Sequence, residues 1–338
     1  MDGASRSATV TRGDVARLAG VSSAVVSYVI NGGPRNVKPA TADRVRRAID
    51  VLGYRPNLSA RALKRGKTEL LALVIPDSTN PYFAELAHAI EESSERRGHV
   101  VVMANHGSNG AVENRLVEDL VSRGADHFLI ASGWAIHHLA EARHPGPPTV
   151  LIDCPAPVPG YATIGPASES GTRAAVQHLL AAHRHSSVAL VLGESGPEPE
   201  NRERGWRLAH EDSGLPTGPI ARGAFNYDDG YKCGQYLLGL RQRPTAVLAT
   251  SDLQAFGLLR AIGERGLRVP DDVAVISFDG TIGSGFGWPP LTVVQQPIHQ
   301  MAEAAVATVL HEGGPDQQHQ MFAMDLIIRN SCGCSPTP

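Results

Sequence analysis

Gly13-Asp-Val-Ala-Arg-Leu-Ala-Gly20, followed at once by Val21-Ser-Ser-Ala-Val-Val-Ser-Tyr-Val-Ile30, is the stretch on which the reading of this chain turns. In its first half Val15, Ala16, Leu18 and Ala19 recur at the spacing of one helical face, and Gly20 suits the left-handed residue that ends such a helix. After a tight turn, Ser22 is a good N-cap for a second helix over Ser23 to Ile30. Val25, Val26 and Val29 supply its inward face, and Asn31-Gly-Gly-Pro34 stops it. Two short helices around a Gly-containing turn predict a helix-turn-helix, with an ordinary helical hairpin as the alternative. A third helix is expected over Thr41 to Leu52, with Val45, Ile49 and Leu52 as its packing stripe and Arg44, Arg46 and Arg47 on other faces.

The charge distribution points the same way. Residues 1–67 carry a net charge of +9, and the remaining 271 residues a net of −12, which the whole-chain value of −3 conceals. A small basic unit joined to an acidic body suits a polyanion, because each neutralised phosphate of a duplex releases counterions. Beyond Gly53-Tyr-Arg-Pro-Asn57, the segment Leu58-Ser-Ala-Arg-Ala-Leu-Lys-Arg-Gly66 has barely two helical turns and no large apolar face, so it needs a partner to fold.

From Glu69 the pattern changes. Leu70 to Ile75, Val100 to Ala104, Phe128 to Ala131 and Thr149 to Ile152 are continuous apolar runs separated by amphipathic helices, as expected of parallel strands covered on both faces. The rhythm restarts with Ser187 to Leu192, Ala246 to Ala249 and Val273 to Ser277. Two open α/β sheets follow from this, with ligands expected at the carboxyl ends of the strands. Asp77 and Asn80 follow the first of these strands, Asp153 the fourth, and Asp252 and Asp279 two strands of the second half. Each of these Asp residues has a second reading, as a cap of the helix that follows.

A resemblance now covers nearly the whole chain. Val10-Thr11, Asp14 to Ser22, Val26-Ser27, Asn31, Gly53 to Asn57 and Ala60 to Lys64 resemble the head-piece and hinge of the lactose/galactose-repressor family of bacterial transcription regulators. Pro76-Asp-Ser-Thr-Asn-Pro-Tyr-Phe-Ala-Glu85, Arg202-Glu-Arg-Gly-Trp206, Pro244 to Val247, Gly266 to Val273, Ser277-Phe-Asp279 and Pro290-Leu-Thr292 resemble further family motifs, in the family's order. Each string is weak alone; their succession is specific.

The resemblance implies an all-α helix-turn-helix head-piece, a hinge helix, and a two-lobed α/β core like that of periplasmic binding proteins, with two parallel, Rossmann-like sheets. The head-piece is expected over residues 9–57, the hinge and linker over 58–68 and the core over 69–334. The chain crosses between lobes near Gly165, Gln296 and Asp325, which gives an N-lobe of about 69–165 and 297–324 and a C-lobe of about 166–296 and 325–334.

Carried over position by position, the resemblance puts Ser23, Ala24 and Tyr28 at base-reading positions of the second helix. Thr11, Ser22, Ser27 and Asn31 fall at phosphate contacts, where short polar groups suit the task. Tyr28 departs from the family, where an Arg often stands, and a phenol cannot make that residue's bidentate contact to guanine. It reads a base edge, packs on a thymine methyl, binds a phosphate, or is a partly buried structural Tyr. Lys38 replaces the family's usual Ser or Thr cap of the third helix and is either a phosphate contact or a solvated lysine. In the hinge, Leu63 matches the family's minor-groove wedge, and Asn57, Ala60, Arg61 and Lys64 match other DNA-contacting positions.

In the core, Arg202 matches the family's ligand-clamping Arg, Phe225 an aromatic that stacks on ligand, and Gln296 lies at a crossover. With Asp77, Asn80, Phe83, Asp153, Asp252 and Asp279 these make the expected effector site. Carboxylates and a forked Arg suit a polyhydroxylated ligand, because each engages two hydroxyls at fixed geometry.

Enzymatic signals are poor. Gly193-Glu-Ser-Gly-Pro197 approaches the nucleophile elbow but ends in Pro, and no glycine-rich nucleotide loop is present. His137-His138 and His183-x-His185 lack a third ligand, and Cys154, Cys233, Cys332 and Cys334 do not follow a zinc spacing, so no metal, cofactor or catalytic residue is expected. With no export signal and no run of about 18 apolar residues, a cytoplasmic protein is expected and membrane insertion is not. The expectation is a homodimeric DNA-binding regulator, a repressor, that binds a near-palindromic operator under control of a carbohydrate-like effector. A secreted sugar-binding protein or an α/β enzyme are the competing classes.

Overall fold

The structure is a computed structural model and describes residues 10–31, 36–55, 67–107, 109–131, 146–193, 200–311 and 318–334. They divide into two compact units, one before Glu69 and one from it onward.

The first unit holds α1 (Arg12–Ala19), α2 (Ser23–Asn31) and α3 (Pro39–Leu52). Thr11 and Asp14 form a capping box on α1: the Thr11 N–H donates to Asp14 Oδ2 at 2.9 Å and the Asp14 N–H to Thr11 Oγ1 at 3.3 Å. Gly20 ends α1 in the left-handed conformation, at φ 66°, and the chain turns through 103° into α2. That angle is typical of helix-turn-helix units. Val15, Ala16, Ala19, Val26, Val45 and Ala48 are the buried centre, closed by Ile49, Leu52 and Tyr54. Leu18, expected on this face, is 53% exposed, because it lies beyond the arc that Val15, Ala16 and Ala19 span. α3 begins at Pro39, earlier than the expected Thr41, since proline at the first helical position has no N–H to leave unpaired.

The second unit contains two six-stranded sheets, ordered β11-β5-β4-β3-β1-β2 and β12-β10-β9-β8-β6-β7. The first joins β1 (Leu70–Ile75), β2 (Val100–Asn105), β3 (His127–Ala131), β4 (Thr149–Ile152), β5 (Ala162–Pro166) and β11 (His319–Phe322), all parallel. Its helices are α4 (Pro81–Glu95), α5 (Gly110–Ser122) and α10 (Ile298–Val309). The second joins β6 (Ala189–Leu192), β7 (Ile220–Arg222), β8 (Ala246–Ala249), β9 (Ala274–Asp279), β10 (Thr292–Gln295) and β12 (Asp325–Ile327), of which β12 alone is antiparallel to its neighbour. Its helices are α6 (Ser168–Ala181), α7 (Asn201–Ser213), α8 (Tyr227–Gly239) and α9 (Asp252–Glu264).

Period-2 burial builds each three-layer lobe. Leu71, Leu73 and Ile75 face α4 and α10, while Ala72 and Val74 face the other way, toward Leu120 of α5. In the second lobe Leu190 and Leu192 pack with Trp206, and Ala189 and Val191 with Leu237 and Leu258. The chain passes between the sheets after Pro166, after Gln295 and after Phe322. Five strands, β5, β7, β10, β11 and β12, were not expected, because they are three to five residues long and several are polar. β2 was expected to be covered on both faces, yet Val100 is 63% and Met103 43% exposed, since it forms the sheet edge.

Candidate functional site

In both sheets the first strand lies between the second and third, β1 between β2 and β3 and β6 between β7 and β8, so each has a switch point where its carboxyl ends open a crevice. Several of the candidate side chains gather there. Arg202, in the first turn of α7, is the centre. Its guanidinium lies over Phe225, 4.9 Å from the ring centroid, and 5.2 Å from that of Phe278, while Nη1 donates to the Thr250 carbonyl at 2.8 Å and Nε donates to Glu200. Burial opposes the charge of Arg202, but Glu200, Asp279 and Asp153 outweigh it and hold its pKa above the usual value.

The motif that carries Arg202 explains its placement. A Cβ at Gly205 would meet the Glu169 carbonyl oxygen at 2.1 Å, so only glycine lets α7 approach α6 this closely. One residue on, buried Trp206 donates from Nε1 to the Val188 carbonyl at 2.7 Å and fixes the helix against the start of β6. Arg202 therefore stands on a rigid element.

Two carboxylates flank it. Asp153 after β4 and Asp279 at the end of β9 both have positive φ, 57° and 94°, a region that residues with a Cβ rarely enter. Burial pushes the Asp153 carboxyl up to about 6, against the opposing effect of Arg202. Burial and then the charge of Asp252 push Asp279 well above the usual carboxylate range. Asp279 Oδ1 accepts from Gln296 Nε2 at 2.8 Å, and Gln296 keeps its own Oε1 buried without a partner. The buried Tyr82 hydroxyl faces the Asp153 carboxyl, and its pKa is raised by burial and by the charges of Asp153 and Asp279. An unpaired buried oxygen, Gln296 Oε1, near a clamped guanidinium suits a ligand that brings hydroxyls.

The other expected core residues are arranged differently. Asp252 is buried and bound within its own lobe: Oδ1 accepts from the Ser277 hydroxyl at 2.6 Å, and Oδ2 from the Thr281 N–H and hydroxyl, each at 2.7 Å. Asp77 is exposed and accepts from the N–H and hydroxyl of Thr79 at 2.8 and 2.7 Å. Asn80 caps α4, accepting from the Tyr82 N–H at 3.0 Å, and Phe83 packs edge-on against Tyr82 with ring centroids 5.0 Å apart.

In the head-piece, Ser22 caps α2 by accepting from the Val25 N–H at 3.3 Å, and Ser22, Ser23 and Ala24 are exposed at the helix start. Ser27 and Tyr28 are half-buried. Thr11 is exposed, its hydroxyl held in the capping box, and Lys38 is exposed at the N-cap of α3 with no side-chain cap bond. Asn31 ends α2, but its side chain, like Asn57, Ala60, Arg61, Leu63 and Lys64 of the hinge, lies outside the described residues; so do residues 194–197 of the elbow-like string and His137-His138.

Residues 11–57 match the family described as "Bacterial regulatory proteins, lacI family", and residues 176–332 match the "Periplasmic binding protein-like domain". The chain is 36% identical over 306 residues to Catabolite control protein A of Priestia megaterium, covering 88% of this chain and 90% of that protein. The chain belongs to the lacI family. It is also 35% identical over 325 residues to the Ribose operon repressor of Escherichia coli K12, covering 94% of this chain and 98% of that one. Among solved structures, that of the lac repressor dimer bound to operator and the anti-inducer ONPF superposes with a TM-score of 0.84 at 27% identity, covering 96% of this chain and 99% of that one.

For this lacI-family chain, sequence reasoning singled out Arg202, Phe225, Asp279 and Gln296, but missed Tyr82, Glu200 and Phe278. An acid two positions before Arg202 was a visible signal for Glu200; Tyr82 stood inside a quoted motif. The sequence offered no third ligand at convincing spacing for His183 and no zinc spacing for the cysteines; in the structure His178, His183, Cys332 and Cys334 lie together. Cys334 Sγ lies 3.5 Å from His178 Nε2 and 3.3 Å from His183 Nε2.

Proposed function

We propose that this lacI-family chain is a homodimeric transcriptional repressor whose affinity for a near-palindromic operator is set by a polyhydroxylated effector, a sugar or sugar derivative, held between the core lobes. The observation that carries the effector class is Arg202 clamped over Phe225 between Asp153 and Asp279. A planar fork and two carboxylates bind vicinal hydroxyls, and the aromatic face covers the apolar side of a sugar ring. Arg202, Phe225, Asp153, Asp279 and Gln296 are the proposed ligand contacts, with Tyr82 added; Asp252, Asp77, Asn80 and Phe83 support the loops around them.

The DNA-reading surface is the exposed start of α2, with Ser23, Ala24 and Tyr28 toward base edges and Thr11, Ser22, Ser27, Asn31 and Lys38 toward phosphates. Residues 9–57 form the DNA-binding unit, 58–68 the hinge, where Leu63 wedges the minor groove beside Asn57, Ala60, Arg61 and Lys64, and 69–334 the effector-binding core. Exposed apolar groups favour a second copy as the partner: Val100 and Met103 on the edge of the first sheet, and Ile282, Phe286 and Trp288, 76%, 86% and 94% exposed, on the second lobe. Regulation, not catalysis, is the activity. No single helix among the described residues is long and apolar enough to cross a membrane, and the proposed place of action is the cytoplasm, where the operator is.

Selection of bound duplexes from a random pool by the full-length protein tests this reading. A two-fold symmetric motif is expected, bound by dimers with an affinity that falls by orders of magnitude between low and moderate salt. A thermal-shift screen of sugars identifies the effector, since a ligand at about 100 times its dissociation constant adds roughly 2.7 kcal/mol. Salt-insensitive binding, or tight specific binding by a monomer, refutes the proposal.

A further inference from the structure

Away from the cleft, the fold collects four side chains that are distant in sequence. His178 lies in the last turn of α6 and His183 just beyond it; Cys332 and Cys334 flank Gly333 after β12. One ligand atom from each residue lies within 4.8 Å of all the others, and among the described residues this is the group of His, Cys, Asp and Glu side chains able to hold a metal ion. The two Nε2 atoms are 3.2 Å apart, and Cys334 Sγ is 3.5 Å from one and 3.3 Å from the other. With Zn–N bonds of about 2.0–2.1 Å and Zn–S bonds of about 2.3 Å, a tetrahedral site has N–N edges of about 3.3 Å and N–S edges of about 3.5 Å. The observed triangle comes within about 0.2 Å of those edges.

Hydrogen bonding explains this triangle poorly. A neutral imidazole nitrogen is either donor or acceptor, and a thiol has one proton, so at most two of the three contacts carry a hydrogen bond and the third is left without one. A cation at the centre satisfies all three. The backbone is shaped for the same end. Gly333 has φ +103°, which turns the short chain between the cysteines, and a Cβ there would stand 3.1 Å from His183 Nδ1. The side chain of Cys332 is buried in the second-lobe core, where its sulfur accepts from the Thr292 hydroxyl at 3.1 Å and faces the Arg329 carbonyl at 3.7 Å.

We propose that His178, His183, Cys332 and Cys334 form a closed Cys2His2 site for a zinc(II)-like cation that fastens the C-terminal segment to the end of α6. Thiolate and imidazole together select such an ion over magnesium or calcium. Four protein ligands leave no open position, so the site is structural. Its place in the lobe agrees with that role. β12 starts at the crossover, with Asp325 opposite Gln295, and runs away from it, so the cysteines lie toward the pole opposite the effector cleft. Metal binding here expels the thiol protons and ties the last strand of the lobe to its first helix.

The test is the metal content of untagged full-length protein, purified with reductant and without chelator from cells grown in zinc-supplemented medium. About one zinc per chain is expected, and exchange with cobalt(II) should give the visible bands of a tetrahedral site together with thiolate-to-cobalt charge transfer. Cys334→Ser and His183→Asn should lose the spectrum and most of the zinc, and Cys233→Ser should keep both. The wild-type measurement does not depend on whether any variant folds. A wild-type chain that takes up neither zinc nor cobalt overturns the proposal, as does bound metal that survives the Cys334→Ser, His178→Asn double substitution.

Discussion

The backbone N–H of Ile282, in the turn after β9, donates to Glu85 Oε1 on α4 at 2.9 Å, so a carboxylate of the first lobe is bonded to the main chain of the second. A second bond crosses nearby, from Asn201 Nδ2 to the Pro155 carbonyl at 3.0 Å. Both require the lobes to stand in this arrangement, and a ligand controls the operator only by favouring one arrangement over another.

Glu85→Ala is therefore expected to shift the lobe equilibrium without touching either ligand. Its carboxylate is only half-buried, so the loss is small, up to about 1 kcal/mol, or a few-fold in effector affinity. Because coupling is reciprocal, the factor by which effector changes operator affinity should move too. Calorimetry with and without operator measures both; unchanged values would show that the bond does not bias the lobes.

Arg202→Lys and Asp279→Asn probe the clamp itself. Lysine keeps the charge and loses the planar fork over Phe225 and Phe278, and asparagine keeps the shape and loses an acceptor. Each should weaken effector binding by about 1.5–3 kcal/mol. Operator binding without effector should persist, since neither residue belongs to the head-piece or hinge. Effector titrations indistinguishable from wild type in both variants would move the ligand elsewhere.

Asp153 gives a prediction with a definite sign in pH. Its folded pKa, about 6, lies above the unfolded value of about 3.9, so the neutral form is the one favoured by folding. That contribution is complete below the unfolded pKa and is lost as pH rises to about 6. Asp153→Asn mimics the neutral form throughout. The variant should unfold like wild type near pH 4 and at a higher temperature than wild type above pH 6, with the gap opening between. Parallel melting curves at both pH values would mean that Asp153 is not held against its charge.

Much of this was legible in the sequence where one local rule sufficed. The β1 and β4 runs, Leu70 to Ile75 and Thr149 to Ile152, have the expected bounds because strands buried on both faces need continuous apolar residues. Helix ends at Gly20 and the cap at Ser22 were readable for the same reason. What escaped depends on contacts between distant segments. β12 is three residues long and is a strand only because β10 lies beside it. Asp252 and Asp279 look alike in sequence, each following or ending a strand, yet the Asp252 carboxylate is held by Ser277 and Thr281 while that of Asp279 accepts from Gln296 and the Asp252 N–H and feels the charge of Arg202. Spacing rules do not reach the proximity of His178, His183, Cys332 and Cys334, because the two pairs lie about 150 residues apart and meet through the packing of β12 and α6.

Tyr28 is where this chain's DNA preference should depart from that of relatives. The apolar cluster of the head-piece includes Tyr54 but not Tyr28, so the phenol on α2 is not a core residue of that unit. One turn beyond Ser23 and Ala24, it stands where a base contact is proposed. Tyr28→Arg should then move the preference at one position of each half-site toward guanine, by about 1–3 kcal/mol if the guanidinium engages O6 and N7 together. The fold should tolerate the change, because the side chain is partly exposed and arginine favours helix. Parallel selections with both proteins decide the matter. A shift confined to that position assigns Tyr28 to base reading, and identical motifs with uniformly altered affinity assign it to the phosphate backbone.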